Sequence, residues 1–281
     1  MAPLRQLEWG CVRLTGYMKL VIVFALLAAA ALGQTDAPPA QSIPVDQQNA
    51  RKARALLDRM VQALGGQAYL DIRDISREGR TYSFHLGQPN SFGIVFWQFY
   101  QYPDKDRYEL TKKRDVIEIF NGNKSYEITY KGTHGQDPKE LSDYLRRKKY
   151  ALDQVIREWL KAPGIALFYE GPTVAEQKSV DQVTIMNASN EAVTLYIDSA
   201  THLPVKKTFS WRDPTDKQRN IEDEVYDNYR PVQGVMTPFT ITRFYNGDMS
   251  NQRFLTSVSY NQGLNPSLFE ASMPDKNQAK H

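Results

Sequence analysis

The chain has 281 residues, 41% of them hydrophobic, and a formal charge of +3 at pH 7. This length supplies one sizeable hydrophobic core or at most two small ones, which favours a single domain. The four histidines are scattered, and no G-x-S-x-G, G-x-G-x-x-G or HExxH motif is present. The sequence therefore gives no local indication of a metal site, and we predict no cofactor.

The N-terminal segment 1–34 is typical of a secretory signal. A lysine precedes an apolar run from Leu20 to Leu32, and small residues surround the end of the run. The run is short for a membrane span, which needs about 20 residues, so we predict export to the periplasm with cleavage near residue 34. An uncleaved membrane anchor is the alternative. Met18 is a candidate for the true start because the stretch before the lysine is long for a signal.

Cleavage would leave a nearly neutral chain. It removes three cations, one anion and the only cysteine, Cys11, and the remaining formal charge is +1. This charge excludes nucleic acid as an expected partner and favours only transient membrane contact. The exported chain has no disulfide or thiolate metal site. Residues 35–49, rich in proline and glutamine, predict a flexible spacer, and residues 273–281 predict a disordered tail.

A helix is predicted after the spacer, ending at Gly65-Gly66. Its apolar residues recur at three- and four-residue spacing, which gives one stripe that must lie on another element. The residues of this stripe are Ala53, Leu56, Leu57, Met60, Val61 and Leu64.

From residue 72 the apolar pattern changes to the two-residue period of strands, with a turn at Asn121-Gly122. Residues 91–103, SFGIVFWQFYQYP, are apolar on both faces of their predicted strand. A strand buried on both sides is ordinary core. The alternative is that one face lines a lumen while the other meets a helix, the spacer or a partner protein.

A second helix is predicted over residues 137–161. Asp137 is its expected N-cap, Pro138 its first residue, and apolar residues follow at helical spacing. The basic run 146–149 lies within it. A solvated face is the simpler interpretation, and a docking site for an acidic partner or head group is the other.

After residue 164 the two-residue period returns and continues to Tyr260, which brings the count to about eleven strands. A sheet of this size seldom stays open and flat. We therefore predict a mainly β fold, a strongly curved, incomplete antiparallel β-barrel with two amphipathic helices covering its concave side. About eleven strands leave room for a cavity.

Carboxylates gather at one place in the sequence, at Glu222, Asp223, Glu224 and Asp227. On a strand they would divide between two faces, which disfavours a catalytic dyad or a cation cage and favours a solvated strand edge. An exported enzyme built around Asp223, Asp227 or His202 is the hypothesis that this cluster leaves open. We predict no catalytic residue and no metal ligand.

Three C-terminal segments, 195–211, 225–248 and 254–270, resemble the outer-membrane lipoprotein-sorting proteins, periplasmic carriers of the LolA/LolB type. The similar features are a strand ending in Ile-Asp before a Thr-x-Leu-Pro turn, a Tyr-x-x-Val-x-Gly-x-x-x-Pro segment, and a Val-x-x-Asn-x-x-Leu-x-x-x-x-Phe ending. With the first helix the resemblance covers about residues 50–272. It implies an unclosed antiparallel barrel, capped by helices, that holds acyl chains in an apolar cavity and has no catalytic residues.

Together these features predict a periplasmic, chaperone-like carrier in which a LolA-like domain, residues 50–272, binds acyl chains of a lipid or lipoprotein, with helix 137–161 as a movable cover. We predict that it is not an enzyme. The alternative is an envelope regulatory or scaffold domain that uses the same barrel to bind a protein partner. The predicted cavity lining is Phe84, Trp97, Phe99, Leu195, Phe209, Trp211, Phe239 and Ile241.

Overall fold

A computed structural model of the protein describes residues 44–271. The predicted signal segment 1–34, the predicted tail 273–281 and the first part of the predicted spacer lie outside the described residues. Within residues 44–271, no helix is long and apolar enough to cross a membrane.

The fold is built on one antiparallel sheet of 14 strands. Its neighbours run in the order β7-β6-β5-β4-β3-β1-β14-β13-β12-β11-β10-β9-β8, with β2 attached to β1. The two ends of this order, β7 and β8, do not pair with each other, so the barrel is not closed. The strands are β1 (Asp74–His85), β2 (Gln88–Pro89), β3 (Ile94–Gln101), β4 (Lys105–Leu110), β5 (Val116–Asn121), β6 (Lys124–Thr129), β7 (Gly132–Gly135), β8 (Ala166–Ala175), β9 (Lys178–Met186), β10 (Ala192–Asp198), β11 (Pro204–Arg212), β12 (Arg219–Val232), β13 (Val235–Tyr245) and β14 (Asp248–Tyr260).

The predicted class of fold is confirmed, but the strand count of eleven is too low. The additional strands are β2, β7 and β8. β2 has two residues, and β7 has four, two of them glycine, so neither strand is long or apolar enough to show the two-residue alternation of a strand. β8 contains Gly171 and Pro172, which usually argue against a strand. They are tolerated here because β8 forms the edge of the sheet, where one side of the strand donates no ladder hydrogen bonds.

The first helix, α1 (Val45–Leu64), begins five residues before the predicted start, inside the predicted spacer. Its apolar stripe is confirmed, because its buried members contact buried residues of β9, β10 and β11. Gly65 follows with a φ of +127°, and a Cβ there would lie 2.4 Å from the carbonyl oxygen of Gly234. A glycine is therefore required at this helix end. A short helix, α2 (Gln67–Leu70), leads into β1.

The second predicted helix is interrupted. It forms α3 (Pro138–Lys149), α4 (Leu152–Arg157) and a 3-10 turn (Trp159–Lys161). The predicted cap is confirmed, since the Asp137 carboxylate accepts a hydrogen bond from the backbone N–H of Lys139 at 2.7 Å. The interruption lets Tyr150 turn into the core, where it stacks on Phe209 with ring centroids 4.4 Å apart. The four cations of the basic run occupy the last turn of α3, where the helix dipole favours positive charge.

The two faces of β3 meet different surroundings. Phe96, Gln98 and Tyr100 are buried on one face, while the residues between them are half-buried. A C-terminal 3-10 turn (Pro266–Phe269) contacts the neighbouring strands β4 and β5 and supplies part of the cover on the outer side. Its Phe269 is completely buried. The chain's own C-terminal segment thus takes up space that the sequence left open to a partner.

Replacing Phe269 with alanine should destabilise the fold by about 3 kcal/mol, because a fully buried ring would leave a cavity. Leu268→Ala is the matched control, since Leu268 is only half-buried and should lose about 1 kcal/mol or less. Urea unfolding of both variants measures the difference. If Phe269→Ala also lowered the free energy of unfolding by only about 1 kcal/mol or less, the C-terminal segment would not be part of the core.

Candidate functional site

A cavity of about 810 Å³ lies between the curved sheet and the helices. Strands β1, β3, β4, β12, β13 and β14 supply most of its walls, and residues from α3 and α4 complete them. Its volume is in the range of small-molecule sites. The apolar and aromatic residues of the wall include Leu64, Tyr69, Ile72, Ile75, Phe96, Tyr100, Tyr102, Leu110, Phe120, Leu152, Val235, Ile241 and Leu255.

The centre of the cavity is polar. Gln98 on β3 lies directly opposite Arg77 on β1 and opposite Tyr108 on β4. Its amide nitrogen donates to the Tyr108 hydroxyl at 2.8 Å and to the Asp106 carboxylate at 3.0 Å, and its amide oxygen accepts from Arg77 at 3.4 Å. Arg253 on β14 donates to the same Tyr108 hydroxyl at 3.4 Å. Side chains from four strands therefore form one hydrogen-bonded group, which we call the Gln98 network.

This network was missed by the sequence analysis, which treated residues 91–103 as apolar on both faces. The one indication was Gln98 itself, a polar residue in the middle of an otherwise apolar strand. A polar side chain in such a position is hydrogen-bonded when buried, so it predicts polar partners on the neighbouring strands.

Asp106 is the buried carboxylate of the network, with 4% of its surface exposed. Burial raises the pKa of Asp106 to about 6, and its hydrogen bond from Gln98 and the nearby cations Arg77, Lys148 and Arg253 oppose the rise. The Tyr144 hydroxyl of α3 also lies 3.4 Å from this carboxylate. Asp106 is thus linked to the sheet on one side and to the helix above it on the other.

A second charged group is fully paired. Lys207, Glu224 and Arg243 lie opposite one another on β11, β12 and β13. The Glu224 carboxylate is 3.0 Å from Lys207 Nζ and 2.9 Å from Arg243 Nε. Although burial opposes ionisation, the two cations hold the pKa of Glu224 well below its usual range. The two cations share one carboxylate, which leaves this group with a net charge of +1 in the wall.

The acidic cluster is not a solvated strand edge, because β12 lies between β11 and β13 in the interior of the sheet. Each of its carboxylates has a cationic partner within 4.0 Å, Arg146 for Glu222, Lys206 for Asp223 and Lys178 for Asp227. Among residues 44–271, no group of three or more His, Cys, Asp or Glu side chains is arranged to hold a metal ion.

The predicted lining residues are distributed over several environments. Phe209 and Ile241 lie on the cavity wall. Leu195 and Phe239 are buried in the two core clusters, and Trp211 packs against the first of them.

Like Leu195, Trp211 and Phe239, the remaining three predicted residues do not border the cavity. Phe84 lies on β1 opposite Pro89 of the short strand β2. Trp97 and Phe99 alternate with the cavity residues Phe96 and Gln98 and therefore occupy the opposite face of β3. With both faces apolar, the sequence offered no means of choosing between them.

The roof over the cavity is attached mainly through polar contacts. α3 has no buried residue. Its Tyr144 ring stacks on Phe120 of β5 with centroids 3.8 Å apart, and Arg146 forms an ion pair with Glu222 of β12 at 3.0 Å. The Arg146 guanidinium also lies 3.7 Å over the Trp211 ring. α3 therefore reaches from one part of the open sheet to another.

Replacing Asp106 with asparagine should stabilise the protein at pH 7.5. The folded pKa of about 6 exceeds the ordinary value of 3.8, so the folded state binds the proton more tightly, and the stability of the wild type falls as the pH rises from about 4 to 6. At pH 7.5 the gain should be about 3 kcal/mol, and it should vanish below about pH 3. Urea unfolding at both pH values measures it; a gain that does not depend on pH would contradict the assigned cause.

No protein-family model and no curated protein matches the chain by sequence. Several solved structures match it by fold. A DUF1329 family protein from Desulfovibrio piger superposes with a TM-score of 0.55 at 10% identity, covering 78% of this chain and 97% of its own.

Two further structures carry names related to lipoprotein sorting. An outer membrane lipoprotein-sorting protein domain from Vibrio parahaemolyticus superposes with a TM-score of 0.50 at 11% identity, covering 79% of this chain and 97% of its own. A LolA superfamily protein from Nitrosomonas europaea has a TM-score of 0.48 at 10% identity, with 78% and 97% covered. At these identities the likeness concerns the fold. The chain therefore has the fold of the DUF1329 family protein and of the lipoprotein-sorting domain, and the resemblance to lipoprotein-sorting proteins that its C-terminal half predicted is confirmed at the level of the fold.

Proposed function

We propose that the protein is a periplasmic, non-enzymatic carrier that binds the acyl part of a lipid or lipoprotein in the cavity. The observation that supports this most directly is a cavity of about 810 Å³, walled by aromatic and aliphatic side chains and covered by a helix with polar attachments. The shared fold and the secretory features of the N-terminal segment are consistent with it.

The apolar part of the wall provides the binding energy. Burying each methylene contributes about 0.8 kcal/mol, so a chain of about a dozen carbons gains roughly 10 kcal/mol before the costs of ordering and association are deducted. Ile72, Ile75, Phe96 and Leu255 belong to one core cluster that also borders the cavity. They give the acyl chain a continuous apolar surface.

Because α3 is attached mainly through polar contacts, it can move aside and open a route for a lipid into the cavity. The buried apolar stripe of α1 fixes that helix to the sheet, whereas α3 has no buried residue. Segments with few buried apolar contacts open at lower free energy than the core. We therefore assign the role of movable cover to α3 rather than to the whole of residues 137–161, because Val155 and Ile156 of α4 are buried.

Native mass spectrometry of the protein exported from cells tests the proposal. A carrier should retain lipid on purification or bind a fluorescent fatty acid added afterwards. Protein that is free of lipid and ignores the fatty acid would contradict the carrier function.

Ile241→Trp should reduce fatty-acid binding by about tenfold or more, because the larger ring would occupy cavity space without removing an apolar surface elsewhere. Ile221→Trp is the matched control, since Ile221 lies on β12 with 40% of its surface exposed and does not border the cavity. Fluorescence titration compares the two variants. Equal affinities would place the binding site outside the cavity.

Arg146→Gln should speed lipid exchange several-fold, because it removes the ion pair between α3 and β12. Lys139→Gln is the control, since Lys139 pairs with Asp143 within α3 and makes no ion pair with the sheet among residues 44–271. Stopped-flow release of a fluorescent fatty acid gives both rates. If the two variants released lipid at the same rate, α3 would not be the cover.

Exposed apolar residues support a second candidate, an envelope protein that binds a partner. Leu86 is 73% exposed and Phe92 is fully exposed, and the two residues flank β2. Large exposed apolar side chains on one short segment are candidates for an interaction surface. Lipid-free protein in the mass-spectrometry experiment would favour this candidate.

A further inference from the structure

Two arginines of the Gln98 network have donors to spare. A guanidinium carries five N–H donors. Arg77 donates one hydrogen bond, to Gln98, and Arg253 donates one, to Tyr108, each at a long 3.4 Å. The Nε atoms of both arginines are buried and have no hydrogen-bond partner within the described chain. Most of the donor capacity at the centre of the cavity is therefore unused.

Neither arginine has a carboxylate partner. Within residues 44–271, no carboxylate oxygen lies within 4.0 Å of the nitrogens of Arg77 or Arg253. Arg243, by comparison, is held by Glu224 at 2.9 Å. Asp106 and Glu118 act on these guanidinium groups only from beyond ion-pair distance, so the space directly beside the two arginines favours an anion.

Among the described residues, the carboxylates that face the same space form no ion pair with Arg77 or Arg253. Asp106 accepts hydrogen bonds from Gln98 and Tyr144. Glu118 lies on β5, opposite Glu127 of β6, and burial together with that second carboxylate raises its pKa. On the side of α3, Arg147 and Lys148 add two cations to the cavity wall.

We infer that the Gln98 network binds the anionic head group of an amphiphile, a carboxylate or a phosphate, while the acyl chain fills the apolar part of the cavity. This rests on the proposed carrier function and names the class of its ligand. Guanidinium groups form paired, charge-assisted hydrogen bonds to the two oxygens of a carboxylate or phosphate. The Tyr108 hydroxyl, which accepts from both Gln98 and Arg253, keeps its own hydrogen to donate.

The apolar surface begins next to the arginines. The Arg253 guanidinium lies 5.6 Å over the Phe96 ring, and Leu255 follows Arg253 by two residues on β14. Phe96 and Leu255 belong to the same core cluster. An acyl chain attached to a head group at Arg253 can therefore continue directly onto apolar side chains.

The test compares two ligands with the same chain, palmitate and the neutral monopalmitoyl glycerol, by calorimetry at pH 8 on the exported protein. Palmitate should bind about tenfold more tightly or better. Arg77→Gln and Arg253→Gln should abolish that preference and leave the neutral lipid unchanged. Arg80→Gln is the control, since Arg80 lies on β1 with its side chain exposed and should change neither affinity.

A further variant avoids a loss of buried cations that could prevent folding. The double variant Gln98→Glu/Asp106→Asn keeps the size of both side chains, reverses the donor and acceptor between them, and places an internal carboxylate next to Arg77 without setting it against Asp106. It should lower palmitate affinity by about tenfold and leave the affinity for monopalmitoyl glycerol unchanged. An unchanged preference for palmitate in the folded double variant would overturn the inference.

The outcomes separate this inference from the carrier function. If both lipids bind equally well to the wild type, the protein remains a carrier but the head-group site is refuted. If neither lipid binds, the carrier function itself fails, and the head-group site fails with it. Inorganic phosphate is the third ligand. If phosphate alone bound as tightly as palmitate, the network would be a site for free anions and the assignment to a lipid head group would be overturned.

Discussion

The hydrogen bonds of the Gln98 side chain hold polar and charged side chains together at the centre of the cavity, beside the apolar side chains of its wall. Its amide is in direct register with Arg77 on one side and Tyr108 on the other, and it also reaches Asp106. An apolar residue in its place would leave the groups around it without partners, which costs about 1–3 kcal/mol for each buried donor or acceptor. Because these groups need one another, the polar centre is retained or lost as a whole.

The helices above the sheet differ in how they are held. α1 buries an apolar stripe against β9, β10 and β11, so it cannot leave without exposing that surface to water. α3 crosses the opening with an aromatic stack at Phe120 and an ion pair at Glu222. The Arg146 and Glu222 side chains are 16% and 12% exposed, so α3 must rehydrate this ion pair, but no buried apolar stripe, in order to leave the sheet. The two helices are therefore held in different ways: α1 by buried apolar side chains, and α3 by one aromatic stack and by polar contacts.

Much of the fold could be predicted because the local sequence patterns of helices, caps and turns agree with the tertiary structure. The stripe of α1, the cap at Asp137 and the turn at Asn121-Gly122 each depend on a few neighbouring residues. The break between α3 and α4 could not be predicted in this way, because it depends on the contact of Tyr150 with Phe209, 59 positions further along the chain.

The candidate site was harder to predict than the fold. Its polar centre is assembled from strands far apart in sequence, so Arg77 and Arg253 show no pattern that joins them. The choice of lining residues failed on β3 for another reason. Trp97 and Phe99 are as apolar as Phe96, and a period of two indicates that faces alternate but not which face is inside.

The pairing of β1 with β14 sets the order in which the cavity can be completed. β1 begins at Asp74, 174 positions before the first residue of β14, Asp248, so this edge of β1 stays unsatisfied while the intervening strands are made. Contacts so distant in sequence form slowly, because a long loop must close before they contribute. The guanidinium of Arg253 arrives with this last strand. A chain still being synthesised therefore lacks one wall of the cavity until β14 has been made and has paired with β1.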